Sequence, residues 1–141
     1  MKSNVKQMIF MVSLSGASLL TGGFFYLVYK EGSYITNFIQ EYFSFQRLRI
    51  FMKPLENNIF KYYLPDYLWG LSLGCILTVI LTTYKSSHII SGIVAFISGL
   101  MFELMQYLNF IGGTFDFIDI SLYFLSGLTV ILLNKKGVKV K

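Results

Sequence analysis

The chain has 141 residues, of which 55% are hydrophobic, 18% aromatic and only 13% charged. This composition is too apolar for a soluble domain of this size and predicts an integral membrane protein. The net charge of +5 comes mainly from lysines at the edges of apolar stretches, so it does not indicate a nucleic-acid-binding protein.

Four apolar stretches are long enough to cross a bilayer, since a membrane-spanning helix needs about 20 mostly apolar residues. They predict an all-α fold, a bundle of four transmembrane helices that forms a single membrane domain over residues 1–141. The first stretch follows Lys2 and Lys6 as a secretion signal would, but its uncharged run is too long, and we interpret it as a retained anchor. The expected helices cover residues 7–29, 67–84, 89–110 and 117–133.

Helix 1 contains a cluster of small residues between Ser13 and Gly23. Small residues allow a second helix to approach closely in lipid, where there is no hydrophobic driving force between helices. The main expectation is that this cluster packs within the protein. A homo-oligomer formed through helix 1 is the alternative.

The long connection of residues 30–66 is expected to form an outer loop. Within it, Ile35, Phe38, Ile39 and Tyr42 recur with helical spacing. This spacing predicts an amphipathic helix that lies in the membrane interface over the bundle.

Lysines without acidic neighbours mark both ends of the chain and the short turn at Lys85. Cytoplasmic loops of membrane proteins carry an excess of Lys and Arg. The pattern therefore predicts that the N-terminus, the C-terminus and the Lys85 turn lie in the cytoplasm. The loop of residues 30–66 and the turn before the last helix are then outside.

Glu103 lies in an apolar run, residues 89–111, where a carboxylate costs about 2.5–3.5 kcal/mol on insertion scales. Such a residue is expected to face protein or water and to have a function. Four further polar residues are expected near the same membrane face: Asp66, Gln106, Asp116 and Asp119. We predict that these five residues form an outward-facing acidic pocket that binds a ligand.

Helix capping is the alternative explanation for the aspartates. Asp66 and Asp116 stand at expected helix starts, and Asp119 would favour the positive end of the helix dipole. Glu103 has no such explanation, because the expected helix end at Phe110 is about 10 Å further along. Pairing with a buried polar partner is the structural alternative for Glu103.

Few residues of the chain could support catalysis at this face. His88 is the only histidine and is expected on the cytoplasmic side, and Cys75 is the only cysteine and lies within an apolar helix. Because no nucleophile–base pair is recognisable, an enzymatic function is left open but is not favoured. Clustered carboxylates could bind a cation, share protons or act as an acid/base pair. We predict no cofactor and no resident metal ion.

Three short motifs lie at the ends of the last three expected helices: Leu64-Pro65-Asp66-Tyr67-Leu68-Trp69, Glu103-x-x-Gln106 and Gly113-Thr114-Phe115-Asp116-x-x-Asp119. Over roughly residues 64–127 they resemble the VanZ-like family of small bacterial membrane proteins, named after a teicoplanin-resistance protein. The family pattern often has an Arg between the second and third motifs and an Asn four residues after the last Asp. This chain has no basic residue between Glu103 and Asn134, and Tyr123 takes the Asn position.

The resemblance implies a multi-pass protein of the bacterial inner (plasma) membrane, associated with the cell envelope. The leading functional hypothesis is a VanZ-like protein whose pocket binds an envelope lipid-linked, glycopeptide-like or cationic ligand, with a role in the envelope or in antibiotic resistance. The alternatives are a small ion- or proton-linked transport unit, a membrane-embedded hydrolase, and an accessory subunit of a membrane complex whose acids are structural. The expected partners are membrane lipids and the ligand of the pocket, and no nucleic acid.

Overall fold

The structure is a computed structural model that describes residues 2–29, 38, 50–53, 57, 59–84, 86–112 and 114–135. It contains four helices that are long and apolar enough to cross a membrane, and the all-α fold is confirmed. The protein is therefore a multi-pass membrane protein. The helices are α1 (Lys2–Tyr29), α2 (Leu64–Ile80), α3 (Ser87–Tyr107) and α4 (Phe117–Lys135). The expected interfacial helix lies outside the described residues, except for a few isolated positions.

The end of α3 differs from the expected one, because the helix ends at Tyr107 and not near Phe110. Asn109 has φ of 59°, in the left-handed region that often follows a helix. The amide of Phe110 donates to the carbonyl of Met105 at 2.9 Å, and the amide of Asn109 donates to that of Gln106 at 3.0 Å. This Schellman motif satisfies the last carbonyl groups, and it leaves Glu103 only about 6 Å from the helix end.

The start of α2 also differs, because a π-helical turn, Ile59–Tyr63, continues directly into the helix. The side chain of Asn57 begins this turn, since its Oδ1 accepts hydrogen bonds from the amides of Ile59 at 2.8 Å and Phe60 at 3.2 Å. Tyr63 occupies the N-cap position of α2 and makes no side-chain capping hydrogen bond. The expectation that Asp66 caps this helix is therefore wrong, and Asp66 lies within its first turn.

The helix α2 is central to the bundle, because it packs against each of the other three helices, and α3 packs along α4. Ser15 and Ser72 join α1 to α2 by reciprocal hydrogen bonds, in which each hydroxyl donates to the backbone carbonyl of the other residue at 2.9 Å. Hydrogen bonds between small polar residues hold helices together in lipid. Part of the small-residue cluster of α1 thus packs within the protein, and the homo-oligomer stays a prediction.

The helices α3 and α4 approach each other closely at Gly92 and Gly127. A Cβ added at Gly92 would lie 2.6 Å from the carbonyl oxygen of Gly127 and 2.7 Å from Cγ1 of Ile131. Both distances are too short for real contacts, so the two backbones can pack at this separation only because Gly92 has no side chain. This close approach fixes the position of α4 beside α3.

We expect Gly92→Ala to destabilise the protein by about 1–3 kcal/mol, because the added methyl group would overpack the contact between α3 and α4. Thermal unfolding in detergent micelles measures the effect. Gly16→Ala is the matched control, since a Cβ at this position of α1 meets nothing within 4 Å. Equal stability of the two variants would contradict the close approach.

Candidate functional site

A cavity of about 570 Å³ lies at one end of the helix bundle. Its walls come from the end of α1, the π-helical turn, the first half of α2, the second half of α3 and the start of α4. These segments meet because successive helices in the bundle run in opposite directions. The volume is in the range of a binding pocket for a small molecule or headgroup.

Four of the five predicted site residues line this cavity: Asp66, Glu103, Gln106 and Asp119. Asp116 does not line it. Oδ1 of Asp116 accepts a hydrogen bond from the amide of Ile118 at 2.8 Å, so its side chain caps the start of α4. Residues of α2, α3 and α4 therefore line one cavity, whereas Asp116 caps α4.

Glu103 is the most deeply buried of these residues, with 3% of its surface exposed. Its Oε2 accepts a hydrogen bond from the backbone amide of Asp116 at 3.1 Å, which connects the last turn of α3 to the start of α4. Within the described part of the chain, Oε1 accepts no hydrogen bond. A carboxylate buried to this degree is costly, and a donor or cation in the cavity would offset the cost.

Tyr123 connects the carboxylates across the bundle. Its hydroxyl donates to Oδ1 of Asp66 at 3.2 Å, and Glu103 and Asp119 also lie near enough to interact with it electrostatically. The phenol ring packs directly on Gly99, where any Cβ would clash with it. The absence of a side chain at Gly99 is therefore what allows Tyr123 of α4 to pass α3 and reach α2.

Aromatic side chains form much of the remaining wall. Tyr26 of α1 and Trp69 of α2 lie with their ring centroids 5.2 Å apart, and Tyr62 and Phe102 complete this surface. Trp69 is the only tryptophan of the chain. Aromatic faces provide both apolar contact and favourable sites for cations.

Tyr123 and Lys61 are among the residues of the cavity that were not anticipated as site residues from the sequence. Tyr123 lies one helical turn after Asp119 and so on the same face of α4, a spacing that could have identified it. Lys61 lines the cavity from the π-helical turn, and its Nζ lies 5.4 Å from the ring centroid of Tyr62. The position of Lys61 depends on that turn, for which the sequence offers no clear signal.

A second cavity of about 300 Å³ lies at the opposite end of the bundle. The described residues that line it are uncharged, and the Gln7 amide donates to Oδ1 of Asn134 at 3.0 Å beside it. Cys75 of α2 and Val130 of α4 belong to the buried apolar core and lie between the two cavities along their helices. Together with the fully buried Ser91 and Ser126, these side chains separate the acidic cavity from the opposite end of the bundle.

Among the described residues, no group of three or more His, Cys, Asp or Glu side chains is arranged to hold a metal ion. The carboxylates are spaced around the cavity and engage an amide and a hydroxyl. No protein-family model, no curated protein and no solved structure matches the chain.

We expect Glu103→Gln to change the free energy of unfolding by less than about 1 kcal/mol, because the amide oxygen can still accept the Asp116 amide proton. Glu103→Leu removes the acceptor and should destabilise the protein by about 1–3 kcal/mol, since the backbone amide of Asp116 loses its hydrogen-bond partner. Thermal unfolding in detergent micelles distinguishes the two variants. Equal stabilities would show that the hydrogen bond between α3 and α4 contributes nothing.

Proposed function

We propose that this chain is a VanZ-like protein of the bacterial cell envelope whose acidic cavity binds a ligand with a cationic head and an apolar body. The observation that carries the proposal is the convergence of Asp66, Glu103 and Asp119 on one cavity with aromatic walls. The residues that resemble the family motifs support the assignment, because Asp66, Glu103, Gln106 and Asp119 all line this cavity.

The charge of the cavity favours a cation over an anion. A carboxylate that is 97% buried, as the 3% exposure of Glu103 implies, has lost most of its hydration. Removing one partner of a buried charge pair is strongly unfavourable, and supplying a partner to a lone buried charge is favourable for the same reason. Asp66 and Asp119 add negative charge beside it. A primary or quaternary ammonium group beside Glu103 would therefore be stabilised in a cavity whose other acids also favour positive charge.

The walls favour an amphiphile over a small inorganic cation. Tyr26, Trp69 and Phe102 provide apolar and aromatic surface next to the acids. An ammonium group can lie against such faces, and an attached hydrocarbon chain can pack along them. Cationic envelope lipids and amphiphilic antimicrobial compounds have this chemistry, which connects the cavity to an envelope or resistance role.

The buried core between the two cavities favours binding over transport. An ion- or proton-linked transport unit needs a polar path through the bundle, whereas the buried Cys75 and Val130 lie between the two cavities, and the polar side chains at this level are the small serines Ser91 and Ser126. The proposed function is consequently capture of a ligand at one membrane face.

We expect the purified protein in detergent micelles to bind hexyltrimethylammonium in a saturable manner, detected by the fluorescence of Trp69 on the cavity wall. Asp66→Asn and Glu103→Gln should each weaken binding about tenfold, because each removes one charge from the binding pocket.

Asp116→Asn is the matched control for this experiment. It also removes one carboxylate at the same end of the bundle, but Asp116 caps α4 outside the cavity wall, and Asn is an equally good cap. Affinity that falls as much in this control as in Glu103→Gln would contradict the assignment of the cavity.

The lysine distribution supports an orientation in which both termini are cytoplasmic and the acidic cavity opens outward. In a Cys75→Ser background, we expect Gly112→Cys to react with a membrane-impermeant maleimide in intact cells. Ser86→Cys, at the opposite end of α3, should react only after the membrane is permeabilised. Both positions are exposed in the structure, so the reverse labelling pattern would invert the topology.

A further inference from the structure

The acidic cavity extends into a gap between α1 and α3. Both helices lie against α2, but they make at most slight contact with each other in the described part of the chain. Tyr26 of α1 and Ser98 and Phe102 of α3 nevertheless line the same cavity, with Trp69 of α2 between them. Phe102 is 58% exposed, so this wall continues onto the surface that faces the bilayer. The cavity is therefore open toward the bilayer between these two helices.

The polarity of the cavity changes along the direction of the helices. The charged residues Lys61, Asp66 and Glu103 lie at its polar end, near the end of the bundle. Leu73 is seven residues further along α2 than Asp66, about 10 Å deeper, and it lines the cavity together with Ala95 of α3. A lipid in a membrane has the same arrangement, with a polar head at the surface and a hydrocarbon chain below it.

The polar end of the cavity carries charges of both signs. Asp66, Glu103 and Asp119 are acidic. Lys61, which belongs to the π-helical turn before α2, lines the same cavity and is basic. A lysine ammonium binds phosphate as a point charge. A ligand with one ammonium group and one phosphate group matches this combination better than a simple cation does.

We propose that the cavity holds the headgroup of a single zwitterionic aminophospholipid, which enters from the bilayer through the gap between α1 and α3. Its ammonium group lies at Glu103, its phosphate lies at Lys61, and an acyl chain follows Leu73 and Phe102. The cavity holds the headgroup and the first part of a chain, and the rest of the lipid stays in the bilayer. This inference rests on the proposed function and specifies its ligand.

The test uses the full chain in detergent micelles and follows the fluorescence of Trp69. The probe is dihexanoyl phosphatidylethanolamine, compared with hexyltrimethylammonium, dihexanoyl phosphatidylglycerol and free phosphoethanolamine. We expect the zwitterionic lipid to bind about tenfold more tightly than each of the three comparators, because only it combines an ammonium group, a phosphate group and acyl chains in one molecule.

The Lys61→Met variant separates the phosphate contact from the ammonium contact. It should weaken binding of dihexanoyl phosphatidylethanolamine about tenfold and strengthen binding of hexyltrimethylammonium, because it removes a positive charge from the cavity wall. Lys61→Gln provides a second variant that keeps a polar side chain on the turn. Lys53→Met is the matched control, since Lys53 is exposed and does not line the cavity. Circular dichroism checks that each variant retains its helices.

Each negative result contradicts a different part of the proposal. If Lys61→Met changes lipid binding no more than Lys53→Met, or if phosphatidylglycerol binds as tightly, the zwitterionic assignment is wrong while cation binding stands. If free phosphoethanolamine binds as tightly as the lipid, the ligand is soluble and the lateral entry is wrong. If hexyltrimethylammonium and the lipid both fail to bind, the proposed function itself is wrong.

Discussion

The hydrogen bond from the Asp116 amide to Oε2 of Glu103 determines the geometry of the acidic end of the bundle. It ties the last turn of α3 to the residue that caps α4, so the two helices meet at a fixed point. Because only one carboxylate oxygen takes part, the same side chain both organises the fold and presents charge to the cavity. A carboxylate is otherwise costly at membrane depth, and here its cost is reduced by a structural contact.

Backbone packing and site geometry depend on each other in this protein. The close approach at Gly92 and Gly127 sets α4 against α3, and the bare surface at Gly99 then receives the ring of Tyr123. From that position the hydroxyl reaches Asp66 on α2. The hydrogen bond between Tyr123 of α4 and Asp66 of α2 is therefore possible because glycines of α3 let α4 pack closely. Small residues in membrane helices have this role because lipid supplies no hydrophobic force between helices.

The sequence predicted the membrane helices and four polar residues of the cavity, because apolar run length and a carboxylate within such a run are strong signals. It did not predict the end of α3 at Tyr107, since that end depends on the left-handed conformation of Asn109. It allowed Asp66 to be a helix cap as an alternative, because it could not anticipate a π-helical turn that continues into α2. Lys61 was missed for the same reason. The spacing of Tyr123 from Asp119 could have identified it as a cavity residue. Its position depends on packing against Gly99 of another helix, which the sequence does not show.

The pairing of Glu103 with Asp116 also constrains how the protein enters its membrane. Protein synthesis proceeds from the N-terminus, so α3 is complete before the residue that donates to its carboxylate has been made. An isolated α3 would carry an unsatisfied acid into hydrocarbon, whereas an α3–α4 hairpin carries it already bonded. Insertion of the last two helices as one hairpin is therefore the energetically favoured route, and the chain separating them is short enough for the pair to form at the translocon.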